Sequence, residues 1–142
     1  LLKALGHDDR PVILKRGLIA TVKEWLSAAK YIGHDKVILC ERGIRSGGDS
    51  MRFTLDLNAA LVAKHDHGLP VIVDPSHSAG RRDMVPHLAH AAIAAGLDGV
   101  VIEVHEDPDK ALTDAAQQIT PSILGSTLQK IRSIYDIIHT TP

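Results

Sequence analysis

Three side chains of the kinds that bind divalent metals occur in the second half of the chain. His77 follows an aliphatic run at residues 70–73. Glu103 lies near the end of another aliphatic run at residues 99–104, and Asp114 follows in the next loop. An imidazole and two carboxylates suit a divalent first-row metal with a coordination position left open for a substrate. Considered singly, each residue also fits an ordinary role, namely a hydrogen-bonding group, an ion-pair partner or a helix cap.

Six cationic residues follow aliphatic runs of the same kind. They are Lys15, Arg16, Arg42, Arg45, Arg81 and Arg82. Lys15 and Arg42 end two runs directly, and burying a cation there is costly unless an anion compensates its charge. Arginine binds phosphate and carboxylate groups through paired hydrogen bonds, so the set predicts an acidic, phosphorylated small substrate. The alternative is salt bridging with neighbouring carboxylates, which contributes only about 0 to 1 kcal/mol for each surface pair.

Other residues with metal-binding side chains fit structural roles. Cys40 lies inside an aliphatic run, where a buried thiol is the common outcome. His65 and His67 fall at the end of a predicted helix, where exposure to solvent is expected. For His105, the sequence leaves open whether it supports a metal ligand or is one.

Four aliphatic runs followed directly by charged residues predict the strands that position these groups. The runs start near residues 11, 36, 70 and 99, and a segment with helical spacing follows each of them. Strand–helix units in series form a parallel sheet, in which all strands end at one edge. The predicted fold class is therefore α/β.

Among α/β folds, an incomplete (β/α) barrel fits best. No G-x-G-x-x-G motif follows the first strand, so a dinucleotide-binding sheet has no support. In a TIM barrel, the ionic groups at the C-terminal ends of the strands form the site. Four βα units are half of such a barrel, so we expect residues 1–142 to form a single partial (β/α)8-barrel domain with two unpaired strand edges.

Capping signals predict where the helices begin and end. Thr21 and Glu24 have the S/T-x-x-E spacing of a capping box. Gly33 and Gly68 are predicted to end the helices that precede the second and third strands. Gly6 is predicted to close a short first helix from the C′ position, and we expect a further segment to precede residue 1 in the parent protein.

Composition excludes some classes of partner. The chain has 142 residues, 44% of them hydrophobic, and a net charge of −1, so no basic surface for nucleic acid or an anionic membrane is predicted. No apolar run approaches the roughly 20 residues of a membrane span. A single cysteine cannot form an internal disulfide, which is compatible with a reducing compartment. We therefore expect a soluble, cytoplasmic protein.

Five stretches of the chain form a set that is characteristic in order and spacing. They are Lys15-Arg16-Gly17, Leu39-Cys40-Glu41-Arg42-Gly43-Ile44-Arg45, Thr54-Leu55-Asp56-Leu57, Val73-Asp74-Pro75-Ser76-His77 with Gly80-Arg81-Arg82-Asp83, and residues 101–105 through Lys110-Ala111-Leu112-Thr113-Asp114. The set resembles 3-deoxy-D-arabino-heptulosonate 7-phosphate (DAHP) synthase of the shorter bacterial and archaeal type. The resemblance covers nearly the whole chain and concerns the C-terminal half of that enzyme's (β/α)8 barrel.

The resemblance implies an activity and a role for each matching residue. The family condenses phosphoenolpyruvate with erythrose 4-phosphate, releases phosphate and opens the shikimate pathway. His77, Glu103 and Asp114 would be three of the four ligands of its divalent metal, with manganese, iron, cobalt and zinc not distinguished. Lys15 and Arg42 would bind phosphoenolpyruvate, with Lys15 and His77 as the catalytic residues and His77 close to that substrate.

The resemblance also implies elements that are not in this sequence. Asp74 would hydrogen-bond the aldose. The family's metal-binding cysteine and its loops for the aldose phosphate belong upstream of residue 1, so we expect either a homo-oligomer or a need for the missing N-terminal half. The alternatives are a related synthase that joins phosphoenolpyruvate to another aldose phosphate, as 3-deoxy-D-manno-octulosonate 8-phosphate (KDO8P) synthase does, and a non-catalytic half-barrel that binds an anion or a metal.

Overall fold

The computed structural model describes residues 1–140, with the side chain of His34 outside this description. The helices and strands alternate through most of the chain, as the sequence predicts. In chain order they are α1 (Leu2–Gly6), β1 (Val12–Lys15), α2 (Val22–Ile32), β2 (Val37–Glu41), α3 (Leu57–His67), β3 (Val71–Val73), α4 (Pro75–Ala79), α5 (Val85–Ala94), β4 (Gly99–Val100) and α6 (Pro121–Thr140). Short 3₁₀ turns span His34–Lys36, Pro108–Lys110 and Ala115–Gln117.

The four strands form one parallel sheet in the order β1-β2-β3-β4. Sequential order with a helical crossover after each of the first three strands is the arrangement of consecutive units in a (β/α) barrel. The α/β fold class and the half-barrel architecture are therefore confirmed. Within residues 1–140, β1 pairs only with β2 and β4 only with β3, so the sheet has two open edges.

The hydrophobic core lies on one face of this sheet. Alternate strand residues, Leu39, Val71 and Val73 among them, pack in one buried cluster with Trp25 of α2 and Ala92 of α5. Because successive side chains of a strand point to opposite faces, the intervening residues face away from this core. One of these, Ile13, is 52% exposed.

Caps define the helix ends largely as predicted. The side chain of Thr21 accepts from the Glu24 amide while the Glu24 carboxylate accepts from the Thr21 amide, so the predicted capping box is present. Gly33 caps α2, and Gly68 caps α3 in a left-handed conformation. Gly6 differs from the prediction because it is the last residue of α1 and His7 forms the cap.

Two elements differ from the predicted pattern. The fourth strand was expected over residues 99–104, but only Gly99–Val100 pair in the sheet, and the chain then turns so that Val104 bridges Ile119. The third strand is followed at once by the short helix α4, which was not predicted. None of the helices within the described part of the chain has the length and hydrophobicity needed to span a bilayer.

Candidate metal and substrate site

The candidate site lies at the C-terminal edge of the sheet, and α4 places its central histidine there. Asp74 follows β3 directly and caps α4 by accepting a hydrogen bond from the His77 amide at 2.9 Å. Pro75 occupies the first turn, where its missing N–H costs nothing. The same proline that ends the strand therefore starts the helix, and His77 lies one turn above the sheet.

Asp74 also fixes the orientation of the His77 ring. Its fully buried carboxylate oxygen Oδ2 lies 2.8 Å from Nδ1 of His77 and accepts a hydrogen bond from Nζ of Lys15 at 2.7 Å. Because an ionised carboxylate can only accept, Nδ1 must carry a proton, so Nε2 is the ring nitrogen through which a metal could be bound. Such a carboxylate partner is typical of metal-binding histidines.

The predicted ligand residues converge at one point. Nε2 of His77 lies 3.6 Å from Oε1 of Glu103, and one ligand atom from each of His77, Glu103 and Asp114 lies within 4.8 Å of the others. First-row metals bind such atoms at about 2.0 to 2.2 Å, which places the ligand atoms of a tetrahedral site about 3.4 Å apart, so a pair 4.8 Å apart would close by about 1.4 Å. One nitrogen and two carboxylate donors in this arrangement fit a divalent metal.

Glu103 is held by two neighbours although it lies beyond the end of β4. Its backbone amide donates to Oγ of the buried Ser76 at 3.0 Å. The Glu103 side chain accepts through Oε2 from Nε2 of Gln117 at 2.7 Å. Because Ser76 belongs to α4, the helix that carries His77 also positions the second candidate ligand.

Asp114 has an unusual backbone conformation. Its φ is 51°, and among residues 1–140 no other residue except glycine has a positive φ. Aspartate tolerates the left-handed region better than most residues, although the conformation still costs of the order of 1 kcal/mol. Residues held this way are frequent at binding sites, and here the conformation accompanies a carboxylate directed at the cluster.

Arg52 and Gln117 are site residues that the sequence did not reveal. Nη1 of Arg52 donates to Oδ1 of Asp114 and to Oε1 of Gln117, both at 3.0 Å. The loop carrying Arg52 is attached to the end of α4, where the Arg52 amide donates to the Ala79 carbonyl at 3.1 Å. Gln117 falls where the family resemblance has the glutamine of a Gly-x-Gln-Ser pattern, but neither it nor the lone Arg52 of a glycine-rich loop predicts this contact.

Arg42 is half-buried, and one nitrogen of its guanidinium group is fully buried. Its guanidinium carbon lies 4.6 Å from the centre of the Phe53 ring. Nη1 of Arg42 is buried and has no hydrogen-bond partner among the residues that the structure describes. Burial lowers the pKa of Arg42, whereas the charge of Asp74 acts in the opposite direction. A buried donor without a partner calls for an explanation, and a bound anion is one candidate.

Arg16 does not join the predicted ring of cations. The register pairs Lys15 with Cys40, which turns Arg16 to the opposite face of the sheet. There it is 6% exposed and donates to Glu41 at 2.9 Å and to Asp56 at 3.0 Å. These three residues, called the Arg16 network below, join β1, β2 and the cap of α3.

The remaining cations lie outside the ligand cluster. Arg45 is exposed, and Arg81 pairs with Asp83 at the surface. Arg82 donates to Asp109 and to the carbonyl of Ala115, so it braces the loop that carries Asp114. Arg82 therefore stabilises this loop.

The structure also places the other metal-binding side chains. Cys40 is fully buried, and burial raises the pKa of its thiol to about 12, as expected of a structural cysteine. His65 and His67 are exposed at the end of α3. Nδ1 of His105 accepts a hydrogen bond from the Asp107 amide at 3.0 Å, so this ring braces its own loop.

Comparison with known proteins gives one family. The model of the DAHP synthetase I family matches residues 1–139. The chain is 43% identical to phospho-2-dehydro-3-deoxyheptonate aldolase of Thermotoga maritima over 97% of its own length and 42% of the relative's. It is 35% identical to 2-dehydro-3-deoxyphosphooctonate aldolase of Desulfatibacillum aliphaticivorans, covering 94% of this chain and 53% of the relative.

A solved structure agrees with this assignment. The crystal structure of the DAHP synthase of Thermotoga maritima superimposes with a TM-score of 0.94 at 43% identity, over 97% of this chain and 42% of that one. The chain thus spans about half the length of the curated relatives it matches. With the family model matched over nearly every residue, this chain belongs to the DAHP synthetase I family.

Proposed function

We propose that this chain supplies part of the active site of a DAHP synthase, which condenses phosphoenolpyruvate with erythrose 4-phosphate as the first step of the shikimate pathway. The observation that carries the proposal is the position of the His77–Glu103–Asp114 cluster beside Lys15, since Asp74 bonds both His77 and Lys15. A metal-binding group and a substrate-binding cation thereby share one carboxylate.

Lys15 and Arg42 are the residues proposed to bind phosphoenolpyruvate. Arg42 offers the buried, unpaired Nη1, and Lys15 is 44% exposed and directed to the same edge of the sheet. Phosphate and carboxylate are the groups that such cations recognise. Bound there, the anion supplies the hydrogen bond that Arg42 does not make within the described residues.

His77, Glu103 and Asp114 are proposed to hold a divalent metal, of which manganese, iron, cobalt and zinc all suit the donor set. When bound, such an ion supplies a Lewis acid for the aldehyde oxygen of the sugar phosphate. Asp74 accepts from Nδ1 of His77, which orients the ring with Nε2 towards Glu103. Its proposed hydrogen bond to the aldose remains a prediction, and both of its oxygens are engaged by Lys15 and His77 in this structure.

Full activity is proposed to need further polypeptide. In the family resemblance, a fourth metal ligand and the loops for the aldose phosphate come from the other half of the barrel. The open edges of β1 and β4 are the places where additional strands of a barrel would pair. A homo-oligomer and a cytoplasmic location remain predictions, the latter supported by the single, buried Cys40.

The test joins this chain to the preceding half of the Thermotoga maritima DAHP synthase. We expect the fusion to consume phosphoenolpyruvate and release phosphate with erythrose 4-phosphate, to lose activity with a chelator, and to regain it with added metal. Replacing His77 by Gln should abolish turnover. The positive control is the Thermotoga maritima enzyme, made in the same way by joining its own two halves.

The same assay separates the alternatives. Preference for arabinose 5-phosphate over erythrose 4-phosphate would indicate the KDO8P-type synthase to which the chain is also similar. A well-folded fusion that turns over neither aldose, beside an active control, would contradict the proposed activity. It would favour a non-catalytic half-barrel.

A further inference from the structure

A buried glutamine connects the candidate metal ligands. Gln117 is 2% exposed, and its amide lies between Arg52 and Glu103. The orientation of this amide determines which of its partners the side chain can donate to. Here the partners decide it, because Arg52 can only donate and the ionised Glu103 can only accept.

The amide therefore has one consistent orientation. Oε1 of Gln117 accepts from Nη1 of Arg52 at 3.0 Å, and Nε2 donates to Oε2 of Glu103 at 2.7 Å. Reversing the amide would place an oxygen against a carboxylate and an NH₂ group against a guanidinium. Arg52 thus holds Gln117 in the orientation that donates to Glu103.

The same contacts leave each carboxylate with one oxygen for an ion. Oε2 of Glu103 is occupied by Gln117, whereas Oε1 faces His77. Oδ1 of Asp114 is occupied by Arg52 at 3.0 Å. Both candidate ligands are consequently arranged to bind through a single oxygen each.

We propose that Gln117, oriented by Arg52, is a positioning residue that makes Glu103 a one-oxygen ligand and holds it in place before the metal arrives. This inference rests on the proposed function, because it assigns a role within the same metal centre. It extends the function to a residue that is not among the candidate ligands. Partners of this kind typically change metal affinity about 10- to 100-fold when they are removed.

The alternative is that Gln117 only stabilises the loop that carries Asp114. Its backbone amide donates to the Asp114 carbonyl at 3.0 Å, and this bond does not depend on the side chain. A purely structural side chain would change the stability of the fold and leave the affinity for metal unaltered. Metal affinity and thermal stability, measured on the same variants, therefore distinguish the two roles.

The experiment titrates Co²⁺ alone into the metal-free fusion with the Thermotoga maritima half and into its variants, by calorimetry and by the visible absorption of the bound ion. In Gln117→Met the side chain keeps its length and apolar volume but can no longer donate to Glu103. We expect this variant to bind Co²⁺ about 10-fold more weakly. The absorption of the remaining complex should also change, because it reports the number and arrangement of ligands.

Two further variants keep the test decisive. Gln117→Asn retains a polar amide but is too short to reach both Arg52 and Glu103, so it should lose affinity even if the methionine variant does not fold. Gln129→Met makes the same change at an exposed position of α6 and should bind as the wild type does. Circular dichroism melting curves establish that each tested variant is folded.

The outcomes separate this inference from the proposed function. Wild-type affinity and an unchanged spectrum in a folded Gln117 variant would overturn the positioning role while leaving the metal centre intact. If the unaltered fusion itself bound no Co²⁺, the proposed metal centre would fail and the role of Gln117 would fail with it. Weakened binding in the Gln117 variants, with Gln129→Met unaffected, supports both.

Discussion

Two groups of charges lie at the same edge of the sheet, on opposite faces of the strands. The Arg16 network is buried on the helix side, where Arg16 is bonded to Glu41 and Asp56, and Glu41 also accepts from the Gly43 amide at 2.7 Å. The ligand cluster lies on the other side. His77 and Glu103 remain 22% and 28% exposed there and face each other without a hydrogen bond.

The two groups differ in how completely their charges are paired within the fold, and not in the kinds of charge that they contain. In the Arg16 network each charged group has a close partner of opposite charge, so the cost of burial is met within the fold. On the other face, ligand atoms point at one another and Arg42 keeps an unpaired donor. Charges that are paired within the fold stabilise it, and charges that are left unpaired are candidates for binding a ligand.

The largest effect is expected from removing Arg16. Arg16→Met leaves the buried carboxylate of Glu41 and the partly exposed carboxylate of Asp56 without their cation. Breaking a buried pair costs about 3 to 5 kcal/mol. Urea unfolding at neutral pH measures this loss. As a control, Arg10→Met removes an ion pair whose arginine is 85% exposed, and it should be indistinguishable from the wild type.

The loss in Arg16→Met should depend on pH. Burial already raises the pKa of Glu41, and the hydrogen bond from Arg16, which opposes that rise, is absent in the variant. An acid whose pKa is higher in the folded than in the unfolded state contributes more stability at low pH and loses it as the pH rises. The loss of unfolding free energy in Arg16→Met should therefore become smaller as the pH is lowered from 8 towards 5. A loss that stays constant with pH would contradict this account.

The reactivity of Cys40 measures how far solvent reaches along the face of the strands that carries the ligand cluster. Burial, assisted by the charge of Asp74, raises the pKa of its thiol from 9.0 to about 12. The thiolate fraction at pH 8 is then about a thousandfold below that of a free thiol. A disulfide reagent should react with the thiol in urea and hardly at all in the native chain. Rapid native reaction would show that this face is open below the level of the ligand cluster.

Replacing Glu103 should affect metal binding much more than stability, whereas the effect expected of replacing Arg16 is on stability. We expect Glu103→Gln to weaken Co²⁺ binding by about 100-fold or more, since losing a ligand exceeds the loss of a neighbour that orients one. Its unfolding free energy should change by no more than about 1 kcal/mol, because the group is incompletely paired in the fold. Glu106→Gln, three residues further on and exposed, is the control for charge. A large loss of stability in Glu103→Gln would erase the distinction between the two faces.

The smallest effect is expected from substituting two glycines that have the same backbone conformation. Gly68 and Gly80 both cap helices with a φ of 65°, but a Cβ at Gly68 meets nothing within 4 Å, whereas one at Gly80 would lie 2.7 Å from Cβ of Arg52. Gly68→Ala should cost about 1 kcal/mol for the strained backbone alone. Gly80→Ala should cost more and also weaken Co²⁺ binding, because it displaces Arg52. Equal stability and affinity in the two variants would show that Arg52 has no influence on the site.

Much of the fold could be predicted from the sequence because strand ends and caps are local features. Aliphatic runs that stop at a charge gave all four strands, and the Thr21–Glu24 spacing gave the start of α2. The fourth strand is shorter than predicted because its pairing ends at Val100, after which the Glu103 amide bonds Ser76 instead. Helix α4 was missed because Pro75 was interpreted only as the end of a strand, although proline also favours the first turn of a helix.

The positions of site residues that follow strand ends could be predicted, whereas contacts between loops far apart in the sequence could not. His77, Glu103 and Asp114 lie together because they follow neighbouring strands, and this convergence was expected. Arg52 and Gln117 are 65 positions apart, and only tertiary structure brings them into contact. The position of Arg16 could have been predicted, because it directly follows Lys15 on one strand and must point to the other face.

That alternation has a consequence for how the chain can vary. Lys15 belongs to the side of β1 that faces the site and Arg16 to the side that packs on the helices, yet a single peptide bond separates them. Insertion or deletion of one residue within Val12–Lys15 would turn over every side chain that follows, so that the two cations would exchange places. We therefore expect the length of this short segment to be more strictly limited than the identity of any residue within it.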